Sequence, residues 1–248
     1  MVFNTITKII LLPIYYIIHH NYIFGFIHKY FIKKFHYKKY TFNLNIKSIP
    51  LQNYSSFLFK TYEFNDRSLI ERNITTRNKC VVLGGGIGFI PTLTYSKSKK
   101  KVLVFEINKS ILKNLRDNLI GNKVKYKIFN NNLVFQKTNN KFFYFTNDFL
   151  STSSKVFTKK KILVKNIIAN KIKEFESYNT LIIDVEGDED YYIHNIKMFK
   201  NIKYLVFELH HNIFNEYKIK KMMNALKYQK FFLKDKCFNS YYFIKKNK

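Results

Sequence analysis

At 248 residues the chain can bury one substantial core, which points to one α/β domain with an N-terminal extension rather than two full domains. Its net charge of +28 would suggest nucleic acid or an anionic surface. However, Lys, Asn, Ile, Phe and Tyr are inflated together and the lysines are spread throughout, so a compositional bias with a solvated basic surface accounts for the charge, and nucleic acid is not the expected partner. Two cysteines, Cys80 and Cys237, exclude a disulfide framework and a cysteine metal site, and a reducing, cytoplasmic compartment is the default expectation.

Residues 1–32 alternate apolar patches with His and Lys, and the longest uninterrupted apolar run, Ile9–Ile18, holds ten residues including Pro13. A spanning helix needs about 20, and no small-residue cleavage site follows, so neither a membrane span nor a signal peptide is expected. Two arrangements fit the pattern: a helix packed on the rest of the chain, or one making a peripheral membrane contact through its Phe, Tyr and Ile side chains. From Tyr40 the apolar residues fall at every second position, Phe42, Leu44 and Ile46, then again at Phe57 and Phe59. The spacing predicts two strands around a turn at Pro50, an edge hairpin. Asp66–Ile74 reads as a short helix capped by Asn65 or Asp66.

Cys80–Glu106 carries the first chemistry. An apolar run, Cys80–Leu83, meets Gly84, Gly85, Gly86 and Gly88; a helix-length segment follows, then a second apolar run, Val102–Phe105, closed by Glu106. Glycines at a strand end let the backbone turn tightly and approach a ligand that a Cβ would hold away. The helix after them points free N–H groups at that ligand. A carboxylate ending the next strand, 18 residues after Gly88, can accept two hydrogen bonds from a ribose diol. The glycines form G-x-G-x-G; in the dinucleotide pattern G-x-G-x-x-G the third glycine, counted from Gly84, would fall on Phe89. The observed form is usual for S-adenosylmethionine, which has a ribose and no pyrophosphate, and it argues against an NAD-dependent oxidoreductase.

Further along, Asn108 can cap a helix whose Ile111, Leu112, Leu115 and Leu119 share a face. A strand over residues 123–129 ends at Asn130–Asn132, which fits either an adenine contact or a plain turn. Residues 132–166 read as an inserted hairpin and loop bordering the acceptor substrate. Leu181–Val185 is an apolar strand suited to burial on both faces. Its end carries Asp184, Glu186, Asp188, Glu189 and Asp190, five of the chain's 16 acids within seven residues. A negative first turn suits the dipole of a helix over Asp188–Phe199; this accounts for Glu189 and Asp190 but not for Asp184, which is costly to bury alone. The strand Ile202–Leu209 leads to Glu208, His210 and His211, and period two puts Glu208 and His210 on one side as an acid–base pair. An amphipathic helix with Ile219, Met222, Met223 and Leu226 precedes two closing strands near Phe231–Asp235 and Ser240–Ile244.

Taken in order, these residues resemble the FkbM family of S-adenosylmethionine-dependent methyltransferases over about residues 50–235. The matching words are Tyr62-Glu63, Leu83–Gly88, the run ending at Glu106 with Asn108 after it, and the run ending at Asn118. Asp184–Gly187 with Glu189, and Phe207–His210, complete the match. Val82 stands where the family usually has an acid, Ile107 where it has a proline, and Asp188 where it has a small residue. The resemblance implies an α/β fold: a class I methyltransferase Rossmann-like sheet, mostly parallel with a C-terminal antiparallel hairpin. Residues 1–39 would form an N-terminal helical extension and 40–248 the methyltransferase domain, opened by a small β-hairpin. It implies S-adenosyl-L-methionine held by Glu63, Leu83, Gly84, Gly85, Gly86, Gly88, Glu106, Ile107, Asn130 and Asp184.

The reaction so implied is O-methylation of a hydroxyl on a sugar, glycan or related small molecule. Asp184, Glu186, Glu208 and His210 would carry it, His210 or Asp184 as base and the two glutamates orienting the acceptor. A divalent cation bound by Asp184, Glu186 and Glu208 is a secondary reading, but carboxylate spacing alone does not specify a metal, so no metal is assigned. A methyltransferase-like binding module on a membrane or nucleic acid is the alternative reading.

Overall fold

A computed structural model describes residues 22–44, 46, 49–145, 152–153 and 161–246. The chain divides into two compact units, Met1–Phe64 and Asn65–Lys248. Most of the expected N-terminal helix, residues 1–21, lies outside the described residues. Among the described residues no helix is long and apolar enough to cross a membrane.

In the first unit, helix α1 (Tyr22–Ile27) runs on into a π-helical turn, His28–Ile32. Strands β1 (Lys34–Tyr37) and β2 (Tyr40–Asn43) then form an antiparallel hairpin that turns through Lys38 at φ +52. Helix α2 covers Leu51–Leu58. The expected hairpin is therefore present but built from different strands: both lie before Pro50, and Phe57 belongs to a helix. Tyr54 and Phe57, both buried, stand three apart, a helical period. Pro50 immediately precedes the first turn, where a missing N–H costs nothing. Phe35 packs against Phe42 and Phe57 at ring distances of 5.7 and 5.4 Å.

Helix α3 (Phe64–Asn73) leads into the second unit. Strand β3 (Cys80–Leu83), helix α4 (Phe89–Ser98), strand β4 (Val102–Phe105), helix α5 (Leu112–Gly121) and strand β5 (Tyr126–Phe129) follow. After them come β6 (Asn132–Val134), β7 (Lys141–Phe145), β8 (Thr152–Ser153), β9 (Lys161–Val164) and β10 (Asn166–Ile168). The chain closes with β11 (Thr180–Ile183), α6 (Glu189–Asn195), β12 (Tyr204–Glu208), α7 (Glu216–Tyr228), β13 (Phe231–Cys237) and β14 (Ser240–Lys245).

Seven strands make the central sheet in the order β5-β4-β3-β11-β12-β14-β13. The pairs among β5, β4, β3, β11 and β12 are parallel, and β14 runs antiparallel to both of its neighbours. This is the expected mixed α/β sheet, mostly parallel, with the expected closing antiparallel hairpin in place. Every residue of β3, β4 and β11 is buried, as a parallel sheet covered on both faces requires. Leu83, Phe105, Ile183 and Phe207 share one core with Ile193 of α6 and Leu226 of α7. The insertion is a three-stranded antiparallel sheet of β8, β7 and β9, with β6 and β10 pairing beside it in parallel.

The register decides where chemistry can happen. Leu83 pairs with Phe105 and Ile183, Phe105 with Phe129, and Ile183 with Phe207. The next residue of each strand therefore falls in one row at the carboxyl ends: Asn130, Glu106, Gly84, Asp184 and Glu208 in spatial order. Ligands of open parallel sheets bind beyond those ends.

Candidate active site

The glycine turn sits at the middle of this row. Gly84, Gly86 and Gly88 have φ of +91, +51 and +91, a region that L side chains rarely adopt. A Cβ on Gly84 would stand 2.0 Å from the carbonyl oxygen of Asp184, so the tips of β3 and β11 touch only because no side chain is there. A Cβ on Gly85 would meet Val104 and Leu115 within 3 Å and Glu106 at 3.3 Å. Asn118, the last residue of the Leu-Arg-Asp-Asn word, donates to the Ile87 carbonyl at 2.8 Å and ties the turn to α5.

Glu106 is 5% exposed and its carboxylate points at the turn. Oε2 accepts the N–H groups of Gly85 and Gly86 at 3.0 Å each, and Oε1 accepts that of Asn108 at 2.7 Å. Burial pushes its carboxyl up to about 7, while four backbone amides, of Asn108, Gly86, Gly85 and Ile107, pull the other way. Gly85, Gly86 and Asn108 take three of the roughly four lone-pair sites of the carboxylate and the Ile107 amide lies beside them, which leaves room for one outside hydroxyl at most where two were expected. Asn130 donates from Nδ2 to the carbonyls of Glu106 and Ile107 at 2.7 and 3.1 Å, so its amide hydrogens hold the chain after β4. Its Oδ1 is what could accept from a base edge. Leu83 is a sheet residue, 2% exposed, with its carbonyl accepting from Asp184 N–H at 3.0 Å. Glu63, at φ +50, belongs to the first unit.

The other side of the row gathers acids around one histidine. His210 is 13% exposed; its Nδ1 lies 3.0 Å from Glu189 Oε1, its Nε2 3.2 Å from Glu186 Oε2 and 3.6 Å from Asp184 Oδ1. Burial alone would lower its pKa, but Glu186, Glu189 and Asp184 lift it to about 12. With both ring nitrogens facing carboxylates, the imidazole is a cation at neutral pH and has no lone pair with which to take a proton. This speaks against His210 as the base and makes it the group that positions the acids.

Glu189, fully buried, also accepts the N–H groups of Val185 and Gly187, at 3.3 and 2.9 Å. The turn between β11 and α6 is left-handed at Glu186 (φ +51) and Gly187 (φ +109). A non-glycine residue in that region carries strain that such sites often hold. Asp184 is lifted well above the usual carboxylate range by burial first, then by Glu208 and Glu186. One oxygen each of Asp184, Glu208 and His210's nitrogen lie within 4.8 Å of one another, so the expected constellation is assembled. Lys141 of the inserted β7 reaches Asp188 at 2.8 Å, which puts the insertion beside this tip.

Two residues of the site carried no chemical role in the sequence. Asp66, taken there as a helix cap, lies inside α3, 1% exposed, with its carboxyl raised to about 6 chiefly by burial. The signal was present: Asp66, Leu69 and Ile70 fall at i, i+3 and i+4 and are all buried, so Asp66 belongs to the helix's core face. Glu189 was explained by the helix dipole; its reach back to Gly187 and across to His210 needs the tertiary fold.

No known family profile matches the chain, and no curated protein does. Among solved structures it is similar to M. jannaschii TYW2 in complex with AdoMet, with 13% identity over 85% of this chain and 82% of that one, TM-score 0.47. It is also similar to the ribosomal protein L11 methylase of Lactobacillus delbrueckii subsp. bulgaricus, at 12% identity, covering 73% and 77%, TM-score 0.45. A third is the precorrin-6y C5,15-methyltransferase of Geobacter metallireducens GS-15, at 11% identity, covering 72% and 84%, TM-score 0.43.

Proposed function

We propose that the protein is an S-adenosylmethionine-dependent methyltransferase acting on a hydroxyl of a sugar, glycan or related small molecule, as the FkbM resemblance implies. A single observation carries the reading. The glycine turn, Glu106 and the acids Asp184 and Glu208 occupy one register row at the carboxyl ends of adjacent strands, where one nucleoside could span from its ribose to its sulfonium. In this reading Gly84–Gly88 give the ligand room to approach. Glu106 accepts one ribose hydroxyl on its remaining lone pair, and Asn130 Oδ1 accepts from the adenine amino group.

The transfer is an in-line displacement. The acceptor oxygen forms a bond to the methyl carbon as the carbon–sulfur bond breaks, and its electron pair leaves with S-adenosylhomocysteine. The hydroxyl proton passes to a carboxylate, for which Asp184 and Glu186 are at hand. Alignment supplies most of the rate in such a step, and the imidazolium of His210 holds Glu186 and Glu189 in place. The acid-lined side attracts the positive sulfonium of the reactant and holds the neutral sulfide of the product less tightly, which favours product release.

The test is a calorimetric titration of the full chain with S-adenosylhomocysteine and, separately, with NAD. Stoichiometric binding of the first and none of the second supports the reading; the reverse would make the protein an oxidoreductase. Incubation with radiolabelled S-adenosylmethionine and glycan or lipid extracts then identifies the acceptor by the fraction that takes up label.

A further inference from the structure

We infer that Asp66, Asp184 and Glu208 form a binding site for one hard divalent cation, a site that shares Asp184 and Glu208 with the strand-tip row but whose argument does not rest on the methyl-transfer reading. The three carboxylates come from three separate elements, helix α3 and the tips of β11 and β12, and one oxygen of each lies within 4.8 Å of the others. Oxygens bound to a single calcium-like ion at about 2.3–2.6 Å are separated by up to about twice that length, so one ion can reach all three. Convergence from three elements also removes the ordinary cause of an acidic cluster, the favourable first turn of a helix.

Asp66 supplies the observation that points to a ligand. Its side chain is 1% exposed and aimed at Asp184 and Glu208, yet neither Oδ1 nor Oδ2 has a hydrogen bond of normal geometry. The Ser240 hydroxyl that faces it also lacks one. Asp184 Oδ1 is out of contact with solvent and without a hydrogen bond as well; the His210 nitrogen at 3.6 Å is too far to make one. Buried carboxylate oxygens left this way are strongly unfavourable unless a charge answers them.

His210 answers only in part, because its two nitrogens are committed to Glu189 and Glu186 at 3.0 and 3.2 Å. That commitment also keeps imidazole out of the ligand set, leaving carboxylate oxygens alone, the donors that suit Mg²⁺, Ca²⁺ or Mn²⁺ rather than Zn²⁺ or Cu²⁺.

The experiment uses the full chain stripped with EDTA and titrated with MnCl2, following free Mn²⁺ by electron paramagnetic resonance, with MgCl2 and CaCl2 as competitors. One tight equivalent is expected. Asp66→Asn should weaken it about tenfold or more, since even outer-shell changes cost about 10–100-fold, while leaving the circular dichroism spectrum unchanged. Should that variant fail to fold, the wild-type chain still decides: at sub-stoichiometric Mn²⁺ the His210 ring resonances should broaden before those of the other histidines. Absence of a tight equivalent, full affinity in a folded Asp66→Asn protein, or an unbroadened His210 would each overturn the site. Manganese binding without S-adenosylhomocysteine binding would remove the methyl-transfer reading and leave the cation site standing; the converse would remove the cation site alone.

Discussion

The two halves of the strand-tip row solve the same problem in opposite ways. At β3 and β4 a single buried carboxylate, Glu106, is matched by three backbone N–H groups within 3.0 Å. At β11 and β12 several carboxylates converge on one imidazolium, and Asp66 and Asp184 keep oxygens with no hydrogen bond. Backbone N–H groups of the glycine turn and of Asn108 go to Glu106, whereas those of Val185 and Gly187 in the second turn go to Glu189 and not to Asp66 or Asp184. The first half is therefore complete as a scaffold for a ligand, whereas the second depends on a charge brought to it.

Disturbing the glycine half should have the largest effect. Gly84→Ala places a Cβ against a backbone oxygen at 2.0 Å and at φ +91, neither of which can move away. The expected loss is about 2 kcal/mol or more, read as a lowered urea midpoint, with S-adenosylhomocysteine binding abolished. Glu106→Gln comes next. Losing a hydrogen bond to a charged acceptor, worth about 1.5–3 kcal/mol, should weaken S-adenosylhomocysteine about ten- to a hundredfold in a calorimetric titration; unchanged affinity would mean that the ribose lies elsewhere.

The same residue sets a pH dependence. Its carboxyl is raised in the folded state to about 7 from the usual 4.5, so the unfolded chain gives up its proton first as pH rises. The stability contribution is then fully present below about pH 4.5 and is lost through about pH 7. Urea midpoints across that window should fall more steeply for the wild type than for Glu106→Gln, and parallel slopes would show that the amides hold Glu106 ionised throughout. The smallest effect belongs to Asn130→Ala, which removes two hydrogen bonds to the carbonyls of Glu106 and Ile107. A loss of about 1–2 kcal/mol is expected, with a weakening of S-adenosylhomocysteine smaller than that of Glu106→Gln.

Strand tips were legible in the sequence because each ends an apolar run of a few residues on a residue with chemistry: Leu83 before Gly84, Phe105 before Glu106, Ile183 before Asp184. In a parallel sheet such ends must line up, so order along the chain became proximity in space. The direction of a side chain was not legible. Glu106 lies against Gly85, where Val104 and Leu115 leave no space for a Cβ, a fact of packing rather than spacing. Strand period pairs His210 with Glu208, but its protonation is favoured by Glu186 and Glu189, which reach it from the turn after β11 and the start of α6. Helix α2 escaped because apolar residues two apart, Phe57 and Phe59, look like a strand when Tyr54 is left out of the count.

The central claim is that a sulfonium nucleoside lies across the tips of β4, β3 and β11. Titrating S-adenosylhomocysteine into the folded full chain tests it most directly. One bound equivalent, with heat lost in Gly84→Ala and reduced in Glu106→Gln, is the predicted result; a wild-type protein that gives no binding heat, while its circular dichroism shows it folded, would contradict it.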